Sequence, residues 1–207
     1  MKRIAVLASG SGSNLQALLD AAQRGELPAR IVVVITDRFL CGADRRAAQR
    51  GIATVCLPVR RRRDHDERMA HDAQLAAVLA AFDPDLVVLA GWMLILGPAV
   101  LGRFPGRIVN VHPALLPDGD EALVASSHGP LPALRGHQTV REALALDMPL
   151  TGATVHYVTE TVDAGPVILR EEVPIFPGDD EAGLHERIKT VEHRLLPQAV
   201  AMALAAQ

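Results

Sequence analysis

Asn110-Val111-His112-Pro113 and, further along the chain, Asp163 carry the side chains best suited to chemistry. Asn110 and His112 stand two apart in the apolar run from Arg107 to His112. A strand there sends both side chains to one face and Val111 to the other. An amide and an imidazolium on one face can donate to a single developing oxyanion. A carboxylate such as Asp163, in the turn before Gly165-Pro166, could hold the imidazole charged and accept a proton from an attacking group, directly or through water. Taken alone, the same residues also fit a hydrogen-bonded strand end and a turn aspartate.

Ser9-Gly10-Ser11-Gly12-Ser13-Asn14 is the second candidate. It follows the apolar run Ile4 to Ala8 and precedes Leu15, Leu18, Leu19 and Ala22 at helical spacing. Small residues between strand and helix let backbone N–H groups converge on an anion at the helix N-terminus. A Walker loop would need Lys where the helix starts, and a dinucleotide fingerprint would need Gly or Ala in place of Leu15. Ser13 or Asn14 as an N-cap is the plainer use. The run of small residues exceeds what a cap needs, so a phosphate monoester site is expected.

The elements that must position these groups alternate along the chain. Strands are expected at Ile4 to Ala8, Ile31 to Ile35, Ala53 to Leu57 and Asp85 to Ala90, the last apolar on both faces, and at Arg107 to His112. Helices are expected from Leu15, over Ala43 to Arg50, and over Asp64 to Phe82, ending before Pro84. This pattern predicts an α/β fold, a mainly parallel, doubly wound sheet. Leu94 to Leu101 reads as a short helix broken at Gly97-Pro98, and Pro113 to Pro132 as an exposed loop. After a helix near Gln138 to Leu146, Gly152 to Val158 and Pro166 to Val173 read as an antiparallel pair appended to the sheet. Asp179 to Ala206 reads as a closing helix interrupted or kinked at Pro197.

Composition narrows the partners. A net charge of -3 offers no general attraction to nucleic acid or anionic membrane, so the ligand is expected to be small. Arg60 to Arg63 then reads as a solvated loop rather than an RNA contact. No run reaches the roughly 18 apolar residues of a membrane span. Cys41 and Cys56 lack metal-binding spacing and read as thiols in a reducing, cytoplasmic compartment. His112, His128, His137 and His156 form no helical pair with a carboxylate base, so no metal is expected. Trp92 and Met93, after a buried strand, read as core or as the grip for a flat ring.

IAVLASGSGSNLQALLDA, DLVVLAGWMLIL, NVHPALLP, TGATVHYVTETVDAGPVI and VEH together resemble the folate-dependent phosphoribosylglycinamide formyltransferase family. The resemblance implies a Rossmann-like single domain over 1–207 that moves a formyl group from 10-formyltetrahydrofolate to the amine of glycinamide ribonucleotide in purine biosynthesis, without metal, as a monomer or homodimer. By resemblance, Asn110, His112 and Asp163 are catalytic. Gly12, Ser13, Asn14, Lys189 and Glu192 match the ribonucleotide side. Arg68, Met93, Leu94, Ile95, Leu96, Asn110, Thr159, Glu160, Thr161 and Val162 match the folate side. The likeness omits Asp118 to Ala133, which reads as an inserted loop at 118–133, and a histidine often found at Val140 is missing. Formyltetrahydrofolate hydrolase shares the trio but normally carries an additional N-terminal regulatory domain, and methionyl-tRNA formyltransferase needs a C-terminal RNA-binding domain. A non-catalytic nucleotide-binding module is the alternative of another class, and Leu15 argues against it.

Overall fold

The computed structural model describes residues 1–59 and 64–207, so the basic run Arg60 to Arg63 lies outside the described residues. In chain order the elements are β1 (Lys2–Ala8), α1 (Ser13–Gln23), β2 (Ala29–Thr36), α2 (Gly42–Gln49), β3 (Thr54–Cys56), α3 (His65–Phe82), β4 (Leu86–Leu89), α4 (Pro98–Arg103) and β5 (Ile108–His112). There follow β6 (Leu123–Ser126), β7 (Gly129–Pro132), α5 (Thr139–Ala145), β8 (Leu150–Tyr157), β9 (Val167–Pro174) and α6 (Glu181–Ala205). Seven strands form one sheet in the order β3-β2-β1-β4-β5-β8-β9. The five strands from β3 to β5 are parallel, and β8 and β9 are antiparallel additions.

Side-chain alternation along the strands divides the core into two layers. Ile4, Val6, Leu86, Val88, Val109 and Val111 face α1, α2, α5 and α6. Ala5, Leu7, Val87, Leu89 and Ile108 face α3 and α4. Both faces are therefore covered, which is why these strands read as unbroken apolar runs. The strand order reverses between β1 and β4, and such a switch opens a crevice beyond the strands' carboxyl ends. There the backbone N–H of Ser9 donates to Gly91 O (2.9 Å), and that of Met93 donates to Ser9 Oγ (2.9 Å).

Four local expectations are corrected. The segment Leu94 to Leu101 is not one broken helix: α4 starts at Pro98, because the Asp72 carboxylate accepts from the N–H groups of Gly97 (2.7 Å) and Ala99 (2.8 Å). Pro113 to Pro132 is not an exposed loop. Ala114, Leu115 and Leu116 are buried, and β6 and β7 form a separate antiparallel hairpin that buries Val124 and Leu131 against Leu115, Leu134 and Met148. Gly12, in the left-handed conformation, takes the N-cap position of α1 in place of Ser13 or Asn14.

Finally, α6 continues through Pro197. It buries Leu184, Ile188, Leu195, Leu196, Val200 and Leu204, each contributing about 1.5–3 kcal/mol. That outweighs the roughly 3 kcal/mol cost of an interior proline. Among the described residues no helix is long and apolar enough to cross a membrane.

Candidate active site

Strand β5 presents Asn110 and His112 on the side of the sheet opposite Val109 and Val111. Its antiparallel neighbour β8 sets His156 opposite Asn110 and Thr154 opposite His112. Thr154 Oγ1 donates to Ala114 O (2.7 Å) and accepts from the Leu116 N–H (3.1 Å), which fixes the chain just beyond Pro113. The link from β8 to β9 leaves beside Ile108, where the Val158 N–H donates to Ile108 O, and folds back until Asp163 reaches both imidazoles. Gly165 makes this return possible: a Cβ there would lie 1.8 Å from Tyr157 O.

Asp163 Oδ2 lies 3.5 Å from His112 Nδ1, and Oδ1 lies 3.6 Å from His156 Nε2. The residue occupies the left-handed region (φ 52°), an uncommon conformation for a residue with a side chain, although aspartate tolerates it better than most. Three consecutive residues after the hairpin hold the cluster. Leu134 O accepts from His112 Nε2 (2.8 Å), Arg135 Nε donates to Asp163 O (3.1 Å), and the Gly136 N–H donates to Asp163 Oδ2 (2.8 Å). Asn110 Nδ2 donates to His156 Nε2 (3.2 Å), whose Nδ1 donates to Tyr157 O (2.9 Å). In this arrangement Nδ1 of His156 is the donor and Nε2 the acceptor, and one amide hydrogen of Asn110 remains for another acceptor.

The electrostatics differ from the expectation that Asp163 keeps His112 charged. Burial pushes the His112 imidazole below its ordinary value, and Asp163 and the Leu134 carbonyl offset this only in part. Burial also works against the Asp163 anion. The two imidazoles beside it, His156 and His112, and the Gly136 N–H outweigh it and hold the carboxyl below its ordinary value. The resting pair is thus an anionic Asp163 beside a His112 that is neutral at pH 7, with Nε2 protonated toward Leu134 and Nδ1 open to receive a proton.

The glycine loop lies at the end of β1. Gly12 has φ 72°, and a Cβ there would meet Ala43 Cα at 2.7 Å, so the turn needs glycine on two counts. Arg46 braces it, Nε donating to Ser11 O (3.0 Å) and Nη1 to Gln16 Oε1 (2.9 Å). Asn14 Nδ2 donates to the buried Glu192 Oε2 (2.9 Å). Burial raises the Glu192 carboxyl, with Asn14 and the charge of Lys189 opposing. The structure thereby joins Asn14 and Glu192 from opposite ends of the chain, while Lys189, on the same helix as Glu192, pairs with Glu186 (2.7 Å). A cleft of about 350 Å³ opens beside Ser13, Gln16, Arg46 and His193.

On the other flank, Met93 and Ile95 are exposed, Leu94 is half-buried, and Leu96 and Trp92 are buried. Thr159, Glu160, Thr161 and Val162 form the exposed part of the loop carrying Asp163. Arg68 is exposed on α3, one turn ahead of Asp72, and does not join the cluster around Asp163. His156 and the segment Leu134-Arg135-Gly136 are the site components that sequence reasoning missed. His156 shares a strand face with Thr154, but only the register of β8 against β5 places it beside Asn110.

A switch-point crevice with a glycine loop on one side and an amide, two imidazoles and a carboxylate on the other has the donors and acceptors that group transfer needs, and the fold is that of the formyl transferases. The formyl transferase family profile matches residues 2–200, and the chain belongs to that family. Its relatives are more particular. A phosphoribosylglycinamide formyltransferase of Mycobacterium tuberculosis is 47% identical over 199 residues, covering 96% of this chain and 83% of that protein. The enzyme of the same name from Escherichia coli is 38% identical, covering 95% and 84%. The crystal structure of glycinamide ribonucleotide transformylase 1 from Symbiobacterium toebii superposes with a TM-score of 0.86 at 39% identity, covering 99% of this chain and 89% of that one.

Proposed function

We propose that this chain transfers the formyl group of 10-formyltetrahydrofolate to the amine of glycinamide ribonucleotide, a step of purine biosynthesis, as a cytoplasmic single-domain enzyme. The observation that carries the reading is the convergence on β5, where Asp163 lies between two imidazoles and Asn110 retains a free amide hydrogen. The relatives, which are transferases, support it over the hydrolase and over a non-catalytic nucleotide module.

The ribonucleotide phosphate sits at the N-terminus of α1, against the N–H groups of Ser13 and Asn14, with Lys189 supplying charge and Glu192 fixing Asn14. The folate ring lies along Met93 to Leu96 and the Thr159 to Val162 loop. Amine attack forms the C–N bond and drives the carbonyl electron pair onto oxygen. The free amide hydrogen of Asn110 meets that oxyanion. The amine's proton passes to the Asp163–His112 pair, whose more exposed member is Asp163 (10% against 3%). The resulting imidazolium stabilises the oxyanion through space, because its Nε2–H is committed to Leu134 O. Collapse breaks the bond to the folate nitrogen, which takes the proton back from the pair.

The test is formyl transfer from 10-formyltetrahydrofolate with and without glycinamide ribonucleotide. Consumption of the formyl donor only when the ribonucleotide is present, with formylated ribonucleotide as product, is expected. Release of formate at the same rate without the ribonucleotide would overturn the assignment in favour of hydrolysis.

A further inference from the structure

Two side chains tie the stem of the hairpin formed by β6 and β7 to the loop carrying Asp163: Asp118, whose Oδ1 accepts from the Val167 N–H (3.2 Å) at the loop's far end, and Arg135, which alone reaches Asp163 itself among the described residues. Arg135 Nη2 donates to Gly119 O (3.0 Å) and Glu121 O (3.0 Å), at the stem of the hairpin, while its Nε donates to Asp163 O (3.1 Å). The hairpin is itself fixed at its far end, where the Ser127 N–H donates to Glu172 Oε1 (2.7 Å) on β9, and along its length by Val124 and Leu131 in the apolar cluster. Arg135 therefore spans from a docked element to the one member of the Asn110, His112 and Asp163 trio that no strand or helix holds.

Asp163 needs such a tie. It lies in an exposed loop, in a left-handed conformation, and Thr159 Oγ1 to Thr161 O (3.1 Å) is a short-range bond that does not reach it. Two adjacent residues fix two different parts of it. Gly136 N–H holds the carboxylate, and Arg135 holds the carbonyl and hence the peptide plane. We infer that Arg135 is a positioning residue: by clamping the hairpin stem to the Asp163 carbonyl it keeps the Asp163 carboxylate in register with His112, so that the hairpin sets the geometry of the proton-accepting pair. The inference rests on the proposed formyl transfer for its kinetic consequence, but not for its structural one.

The groups facing His112 make the inference separable from a simple charge effect. Asp163 raises its proton affinity, whereas His156 and Arg135 lower it. If Arg135 acts only as a nearby cation, Arg135→Ala moves the His112 titration to higher pH. If Arg135 positions Asp163, the variant loses the carboxylate's influence and the titration moves to lower pH.

The experiment measures the His112 imidazole titration by NMR in ligand-free wild type, Arg135→Ala and Arg135→Lys, alongside kcat and KM. The expected result for Arg135→Ala is a downward move of the titration and a fall in kcat of about 10²-fold, the scale for misplacing a reacting group by about an ångström, with KM for either substrate little changed. Guanidinium added in solution restores part of kcat. Arg135→Lys, whose ammonium cannot span stem and loop together, is only partly active, and it serves as the test variant should Arg135→Ala not fold. An upward move of the titration, or an unchanged titration and kcat with only a lower Tm, would overturn the inference. Wild type that titrates as described but transfers no formyl group would refute the proposed reaction while leaving the clamp standing, since the NMR comparison uses no substrate.

Discussion

Asp163→Asn tests the proposed chemistry most directly, because it removes charge while keeping shape. The asparagine oxygen can still accept from the Gly136 N–H, and its carbonyl can still accept from Arg135, so the loop keeps its anchors. What disappears is the anion 3.5 Å from His112 Nδ1. At an effective dielectric of about 20, a unit charge pair at that separation is worth roughly 5 kcal/mol. Solvent at the edge of Asp163 and the reorganisation open to the amide reduce this to about half in the barrier, so a loss of about 2–3 kcal/mol, or about 10²-fold in kcat, is expected.

The assay is steady-state formyl transfer with both substrates saturating, paired with a far-UV spectrum to establish folding. The same substitution makes His112 harder to protonate, adding to the effect of burial. Its titration by NMR therefore moves further below the ordinary histidine value. Near wild-type kcat together with an unmoved His112 titration would refute the pairing of Asp163 with His112 as the proton acceptor.

The remaining predictions concern the phosphate side and acid stability. Burial raises the Glu192 carboxyl above its ordinary value of 4.5, so the folded chain holds that proton more tightly than the unfolded chain and loses stability as pH rises from 4.5 through the folded value. Glu192→Gln keeps the acceptor for Asn14 and is expected to raise Tm at neutral pH with KM for glycinamide ribonucleotide little changed, whereas Glu192→Leu removes the acceptor and is expected to raise that KM; an unchanged KM in Glu192→Leu would remove Glu192 from the ribonucleotide side. Gly12→Ala forces a Cβ to 2.7 Å from Ala43 Cα at φ 72°, and a destabilisation of about 1–3 kcal/mol is expected in urea unfolding. Asp179, paired with Arg187 and accepting from the Phe176 N–H, is pushed down from 3.8 to about 2. Its contribution is complete above 3.8 and lost as pH falls toward 2, so the Tm gap between wild type and Asp179→Asn should close over that interval.

The order of strands and helices was legible because doubly covered strands leave unbroken apolar runs, and the glycine loop, Asn110 and His112 stood out because their residue types are unusual at strand ends, while Asp163 as their partner rested on the family resemblance. The hairpin was not. Its strands have only Val124 and Leu131 turned inward, and Pro130, Pro132 and Gly129 mask that alternation with the composition of a loop. His156 was hidden for the opposite reason: a lone histidine in an apolar strand reads as core, and only the register of β8 against β5 places it beside Asn110. The continuity of α6 through Pro197 likewise depends on tertiary burial outside any local window.

The direction of β8 explains why the missed residues lie where they do. A parallel strand beside β5 would deliver its following loop to the sheet's carboxyl end, where the glycine loop and His112 already stand. An antiparallel β8 instead sends its exit loop toward Ile108, at the start of β5. Asp163 reaches His112 only because that loop turns back, and no strand or helix of its own dictates where it stops. The position of the carboxylate must then be imposed from a neighbouring segment. Leu134, Arg135 and Gly136 supply that constraint, each with one bond to the pair, and they can do so because the docked hairpin fixes where the chain re-enters the site. On the proposed mechanism, the acid–base geometry is thus set by two elements outside the parallel core, the β8–β9 loop and the segment Leu134 to Gly136.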